Sequence, residues 1–177
     1  MFLAKPTFDL KSKYIDFYQE WKESGEEMIP FVIKKDPKNF QSMLDYLSDC
    51  EKGIEPPESW IPESSTYWLI DNNEMIGVVN IRHRLTEPLF NAGGHIGYGI
   101  RPSKRRKGYA TQILSLTLEK AKDLKLEKVL LVCSSTNKAS KKVILNNGGI
   151  SDKDFIDEKN NTLKRYWIDL NNMVSIV

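Results

Sequence analysis

Cysteine and histidine are both scarce in this chain, two of each in 177 residues: Cys50 and Cys133, His83 and His95. The cysteines lie far apart without C-x-x-C spacing, so neither a disulfide framework nor a structural zinc site is indicated, and no metal is expected. An excess of charge of one sign is also missing. Twenty-six basic residues against 24 acidic ones give a net charge of +2, too near neutral to call for a polyanionic partner. No apolar run approaches the ~20 residues of a membrane span. The opening MFLAKPTFDLK lacks the organisation of a signal peptide. The expectation is a cytoplasmic chain with no membrane or nucleic-acid partner. What is present, 40% hydrophobic, 28% charged and 10% aromatic, is the composition of a soluble globular protein. A chain this long buries roughly 70% of its unfolded surface and needs no disulfide or metal to fold. One domain spanning 1–177 is expected.

Residues 11–24 place Tyr14, Phe17, Tyr18 and Trp21 at i, i+3, i+4 and i+7, one apolar helical face. A second helix should open at Asp36-Pro37, a capping residue before a first-turn proline, and bury Phe40, Met43, Leu44 and Leu47. Gly53–Ser65, carrying Pro56, Pro57 and Pro62, reads as a loop, either a connector or a flap. Strands follow. Thr66–Ile70 and Met75–Arg84 flank the turn Asp71-Asn72-Asn73, and Gly94–Ile100 comes after the loop Leu85–Gly93. Tyr109–Leu124 is a helix with Ala110, Ile113, Leu114, Leu118 and Ala121 on one side. Val129–Cys133 is a continuous apolar run, as in a strand covered on both faces. A helix at Asn137–Asn146 ends in the capping sequence Asn147-Gly148-Gly149, and strands near Ile150–Asp157 and Leu163–Leu170 close the chain. Helices, then an antiparallel meander, then a strand–helix–strand crossover make a mixed α/β fold.

The chemistry is concentrated in Ile100-Arg101-Pro102-Ser103-Lys104-Arg105-Arg106-Lys107-Gly108-Tyr109-Ala110-Thr111. This stretch leaves a strand, passes four basic residues in a row and enters a helix at glycine. Unpaired N–H groups and the positive end of the helix dipole make such a joint an anion site, and Gly108 and Ala110 let a ligand come close to the main chain. Lys104–Lys107 can alternatively be a solvated charge run. Its place at a strand-to-helix joint favours the anion site, and a diphosphate suits several converging amides better than one carboxylate does. The segment is neither G-x-x-x-x-G-K-[ST] nor G-x-G-x-x-G.

Arg105-x-x-Gly108-x-Ala110 resembles the [QR]-x-x-G-x-[GA] signature of the GNAT N-acetyltransferases. Downstream, Asn137-x-x-Ser140 through Asn147-Gly148-Gly149 is similar to the family's second coenzyme-facing segment. The stretch Gly93-Gly94-His95-Ile96-Gly97-Tyr98 looks like a bacterial subgroup of the family. The resemblance implies a mostly antiparallel sheet of about seven strands, splayed between the fourth and fifth and flanked by about four helices. Residues 1–64 would form the acceptor side, 65–134 the core sheet and pyrophosphate loop, and 135–177 the second coenzyme-facing helix and last strands. It implies direct transfer of an acetyl group from acetyl-CoA to an amine in a ternary complex, by a monomer or homodimer. Pantetheine would pair with backbone near Ile100 and Arg101, and the amides of Arg105, Arg106, Lys107, Gly108, Tyr109, Ala110 and Thr111 would hold the pyrophosphate. Asn137 and Ser140 would face pantetheine or adenosine, and Lys104, Arg106, Lys107, Lys138 and Lys141 are candidates for the ribose 3′-phosphate.

Many relatives place a glutamate where this chain has His95, which makes the imidazole a candidate proton relay. Strand alternation puts His95, Gly97 and Gly99 on one face, leaving room for a ligand, with Ile96, Tyr98 and Ile100 on the other. A histidine hydrogen-bonded inside the sheet is the alternative, and His83, with Val79 and Ile81, has the weaker claim. The family's frequent general-acid tyrosine falls here on Ile144, which leaves water, His95 or Tyr109 for that role. Cys133 at a strand end is either a buried core residue or a covalent nucleophile, and direct transfer needs no nucleophile. A non-catalytic coenzyme A sensor is the competing function. The acceptor is a small molecule or a peptide amine, and Glu58, Glu63, Arg82, Arg84 and Glu87 could each face its pocket or away from it.

Overall fold

The computed structural model describes residues 1–54 and 61–171, so Pro56, Pro57 and Glu58 lie outside the described residues. The chain forms β1 (Phe2–Ala4), α1 (Lys11–Glu23), α2 (Phe40–Lys52), β2 (Ser64–Asp71), β3 (Glu74–Arg82) and β4 (Ile96–Ile100). Then follow α3 (Tyr109–Asp123), β5 (Lys128–Ser134), α4 (Lys138–Asn146), β6 (Ile150–Ser151), β7 (Phe155–Ile156) and β8 (Thr162–Asp169). β1 to β4 make an antiparallel sheet in chain order, and β8 is paired with β5, β6 and β7 in a second sheet.

Every residue of β2 from Ser64 to Ile70 is buried, because its side chains alternate between two apolar layers. Trp68 and Ile70 meet α1 and α2 through Tyr14, Phe17, Trp21, Phe40, Met43 and Leu47, and the Tyr14 ring stacks on Trp68 at 4.6 Å between centroids. Tyr67 and Leu69 face the opposite layer, where α3 contributes Ile113, Leu114, Leu118 and Ala121. Each such side chain contributes about 1.5–3 kcal/mol when withdrawn from water. The turn between β2 and β3 places Asn72 and Asn73 at φ 46° and 64°, the left-handed pair a two-residue hairpin requires.

The second helix begins later than Asp36-Pro37. Asp36 accepts the N–H of Lys38 at 2.8 Å in an Asx turn, and Asn39 is the cap, its side chain accepting the N–H of Ser42 at 3.1 Å. The strand expected near Ile150–Asp157 is broken into β6 and β7. β1, three residues long with Phe2 exposed, is too short for its periodicity to be read.

Among the described residues, hydrogen bonds join the two sheets at one junction. The His95 N–H donates to the Leu130 carbonyl at 2.7 Å, and the Leu130 N–H donates to His95 Nδ1 at 2.9 Å. Among the described residues no ladder joins β4 to β5 beyond that junction. The splay lies between the fourth and fifth strands, as the family resemblance implies.

Candidate active site

β4 ends at Ile100, and a single 3-10 turn, Pro102–Lys104, leads to an extended Arg105. Arg106 (φ 59°) and Gly108 (φ 86°) are left-handed, and Gly108 caps α3. Left-handed residues interleaved in a loop are the geometry in which successive N–H groups converge on an anion. Among the described residues the N–H groups of Arg106, Lys107, Gly108, Tyr109 and Ala110 have no protein acceptor. Arg105 N–H donates to Pro102 O at 3.3 Å, and Thr111 and Gln112 N–H donate to Gly108 O at 3.0 and 3.2 Å. Of the amides Arg105–Thr111 expected to hold a pyrophosphate, those of Arg105 and Thr111 are thus already bonded within the chain.

The basic side chains divide into two groups. The Arg105 guanidinium is taken up by Glu26, by the Ile100 carbonyl at 3.0 Å and by the Trp21 ring face at 5.4 Å. Lys104 pairs with Glu74 at 2.6 Å. No carboxylate among the described residues lies within ion-pair reach of Arg106, Lys107, Lys138 or Lys141.

Arg101 is not brought to the site. Its side chain is buried among Asp16, Glu20 and Glu74, and its N–H donates to Ile76 O at 3.0 Å. The bonds Arg82 N–H to His95 O and Arg101 N–H to Ile76 O set the phase of the β3–β4 ladder, in which Gly97 and Gly99 face Asn80 and Val78. Tyr98 and Ile100 consequently turn their N–H and carbonyl groups to the open edge, where Arg105 Nε already occupies the Ile100 carbonyl.

The glycine face of β4 is filled, contrary to the room expected there. A Cβ on Gly99 would stand 2.0 Å from the Ile29 carbonyl oxygen and 2.4 Å from the Trp21 ring, and one on Gly97 would stand 3.3 Å from Pro30 and the Arg82 guanidinium. The glycines admit the connection between α1 and α2, which lies directly on the strand.

On the other face, the Tyr98 hydroxyl and Ser140 Oγ are 3.2 Å apart. Asn137 caps α4, its side chain accepting the Ser140 N–H at 2.9 Å, so the Asn137–Ser140 pair is held together and carries Ser140 to Tyr98. Burial raises the Tyr98 pKa. Burial also raises that of the neighbouring Cys133 thiol, against the opposing effects of Ser140 and Lys141. Alternation sets Tyr98 on one face with Ile96 and Ile100 but does not reveal its pairing with Ser140. The available signal was its hydroxyl, which needs a partner when buried. Ile144 is 1% exposed in the core. The Tyr109 hydroxyl donates to Asp71 Oδ2 at 2.8 Å, at the β2–β3 turn.

His95 is buried, with Nδ1 accepting from Leu130, so the ring hydrogen sits on Nε2. Burial and the Arg82 charge push its pKa down to about 4. His83 Nε2 lies 2.9 Å from Ser65 Oγ, which donates to Glu51 at 2.7 Å. No group of three or more metal-ligating side chains gathers among the described residues, and no helix there is long and apolar enough to cross a membrane.

Comparison with known proteins follows the same lines. The fold resembles the ribosomal-protein-S5-alanine acetyltransferase of Vibrio fischeri (15% identity, 96% of this chain and 93% of that one, TM-score 0.70). It also resembles a spermidine N-acetyltransferase of Vibrio cholerae (12%, 99% and 98%, 0.66) and the microcin C7 self-immunity acetyltransferase MccE, solved with acetyl-CoA and AMP (13%, 94% and 91%, 0.65). No curated protein matches at the level of sequence. A family model described as the acetyltransferase (GNAT) domain matches residues 10–150, the span that runs from α1 through the splay and the amide loop to the end of α4. The chain belongs to the GNAT acetyltransferase family.

Proposed function

We propose that residues 1–177 work as one N-acetyltransferase domain that takes acetyl-CoA as cosubstrate and moves its acetyl group to a primary amine in a ternary complex. The observation that carries this reading is the run of acceptorless N–H groups from Arg106 to Ala110 at the N-terminus of a 15-residue helix. Amides on one loop at the positive end of a helix dipole fit a diphosphate. Arg106, Lys107, Lys138 and Lys141, with which no carboxylate among the described residues pairs, suit the ribose phosphate. The acetyl-CoA bound to MccE supports the cosubstrate, and relatives named for spermidine and for a ribosomal-protein alanine support an amine acceptor.

Acetyl-CoA supplies an acyl group already activated as a thioester. The chain's residues align it and handle protons. The open edge of β4 at Tyr98 offers backbone N–H and carbonyl groups to an extended ligand. As the acceptor's N–C bond forms and the C–S bond breaks, the amine proton passes to solvent. The sulfur takes a proton from the Tyr98–Ser140 hydroxyl pair, which water restores. A positioned acid of this kind contributes about 10²–10⁴-fold. His95 serves as a positioning residue, clamping β4 to β5 at the apex of the splay. Its Nε2 already carries hydrogen, so at neutral pH it is not the base. Cys133 remains a protonated core thiol.

A second reading, a coenzyme A module without turnover, is favoured by Ile144 at the family's usual acid position. Calorimetry with acetyl-CoA and thiol release over a panel of amines separate the two. Gly108→Asp keeps a left-handed φ that aspartate tolerates and sets a carboxylate among the amides. We expect acetyl-CoA to bind the native chain and to lose about 100-fold affinity in that variant. Absence of binding refutes both readings; binding without thiol release on any amine selects the second.

A further inference from the structure

Three arginines are buried among the described residues, and two of them are paired: Arg101 with Asp16, Glu20 and Glu74, and Arg165 with Asp152. Arg82, at the end of β3 and 8% exposed, has no carboxylate within ion-pair reach among the described residues. Its Nη1 makes only long contacts, 3.4 Å to Gly93 O and 3.5 Å to Gly94 O; the Phe31 ring lies 5.8 Å away, and Nε has no partner. Burial lowers its pKa to about 10, the mark of a cation removed from water without compensation.

Two more orphans share its sheet face. Ser64 stands opposite Arg82 in the β2–β3 register and Asn80 lies two residues before it; Ser64 Oγ and Asn80 Oδ1 are both buried without partners. Asn80 Nδ2 donates to Thr66 Oγ1 at 3.1 Å, which fixes the amide with its oxygen left over. Asn80 in turn faces Gly97 of β4, against which the Arg82 guanidinium is packed. A donor seeking an anion, an acceptor seeking an N–H and a hydroxyl able to serve either are thus set on the α1–α2 face of β2 and β3, next to the strand that borders the splay.

We infer that Arg82, Ser64 and Asn80 receive the acceptor, and that the acceptor is an amine bearing a carboxylate, of the amino-acid or short-peptide class, rather than a polyamine. The carboxylate takes Arg82 and Ser64, and Asn80 Oδ1 accepts an N–H of the same molecule. Pro30 and Phe31, which cover the guanidinium, part from the sheet to admit it. A polycation would meet a buried positive charge with nothing to neutralise it. The inference rests on the acetyl-transfer reading for its chemistry, but not for its binding test.

The experiment compares amino acids and dipeptides with their carboxamides and with spermidine, reading thiol release in kcat/KM, for the native chain and Arg82→Met. We expect carboxylates to be preferred over carboxamides by about 10- to 100-fold, as a charge-assisted pair provides, and Arg82→Met to erase that preference. Calorimetry should show acetyl-CoA binding unchanged in the variant. Its thermal midpoint should hold or rise, because an uncompensated charge is removed, and adding amino acids should raise the midpoint of the native chain only. Equal rates on carboxamides or spermidine, an equal loss on every acceptor in Arg82→Met, or a lowered midpoint in that variant would each overturn the inference. If acetyl-CoA itself fails to bind, the functional reading falls, and the amino-acid shift of the midpoint still decides the Arg82 site.

Discussion

Acid should loosen this protein through His95, at the junction where hydrogen bonds join its two sheets. In the native chain Nδ1 must stay unprotonated to accept the Leu130 N–H, and the ring is 6% exposed, so its pKa is pushed down from 6.5 to about 4. Between those values the unfolded chain holds a proton that the folded chain does not, and stability therefore falls as pH falls. The contribution is whole above about pH 6.5, declines down to about pH 4 and is a constant deficit below that, amounting to about 3 kcal/mol at 1.36 kcal/mol per pH unit. His83, also lowered by burial, adds a smaller loss of the same sign. Urea unfolding followed from pH 8 to pH 4 measures the slope. His95→Asn is the informative variant, since its side-chain oxygen can accept from Leu130 without titrating. It should keep most of the stability at pH 7.5 and flatten the slope. His95→Ala should instead cost about 2–4 kcal/mol at every pH, from an orphaned buried N–H and a cavity. An unchanged slope in His95→Asn, or an imidazole that titrates near 6.5 by NMR, would refute the reasoning.

Two other perturbations separate catalysis from architecture. Tyr98→Phe should lower kcat by about 10²–10⁴-fold, leave acetyl-CoA affinity within about threefold by calorimetry and cost only about 1 kcal/mol in unfolding, because a single hydroxyl contact is lost; undiminished kcat would remove the hydroxyl pair from the proton path. Arg101→Met should cost about 1.5–3 kcal/mol by urea unfolding, since Glu20, Asp16 and Glu74, themselves partly exposed, would lose the charged hydrogen bonds they share, and a change under about 0.5 kcal/mol would show that network to be solvent-compensated.

What was legible in the sequence is what depends on local pattern. Tyr14, Phe17 and Trp21 at helical spacing, the Asn72-Asn73 turn and the strand-to-helix joint at Gly108 each carry their geometry within a few residues. What was not legible depends on which groups meet across the sheet. Arg101 and Arg105 stand beside the same loop as Arg106 and Lys107 and carry the same charge, but Asp16, Glu20 and Glu26, some eighty residues earlier, capture the first two. Gly97 and Gly99 read as space, yet a missing side chain invites backbone as readily as ligand, and Ile29 takes the place. Tyr98 and Ser140 are 42 positions apart, and only the α3 crossover brings their hydroxyls together. A single strand therefore organises the site by its alternation. One side of β4 sends Tyr98 toward Ser140 at the start of α4. The other lies against the α1–α2 connection and Arg82, which has no ion-pair partner among the described residues. On the proposed reading, acyl release and acceptor choice would fall on opposite faces of this one strand, so that Tyr98→Phe and Arg82→Met should perturb kcat and acceptor preference separately.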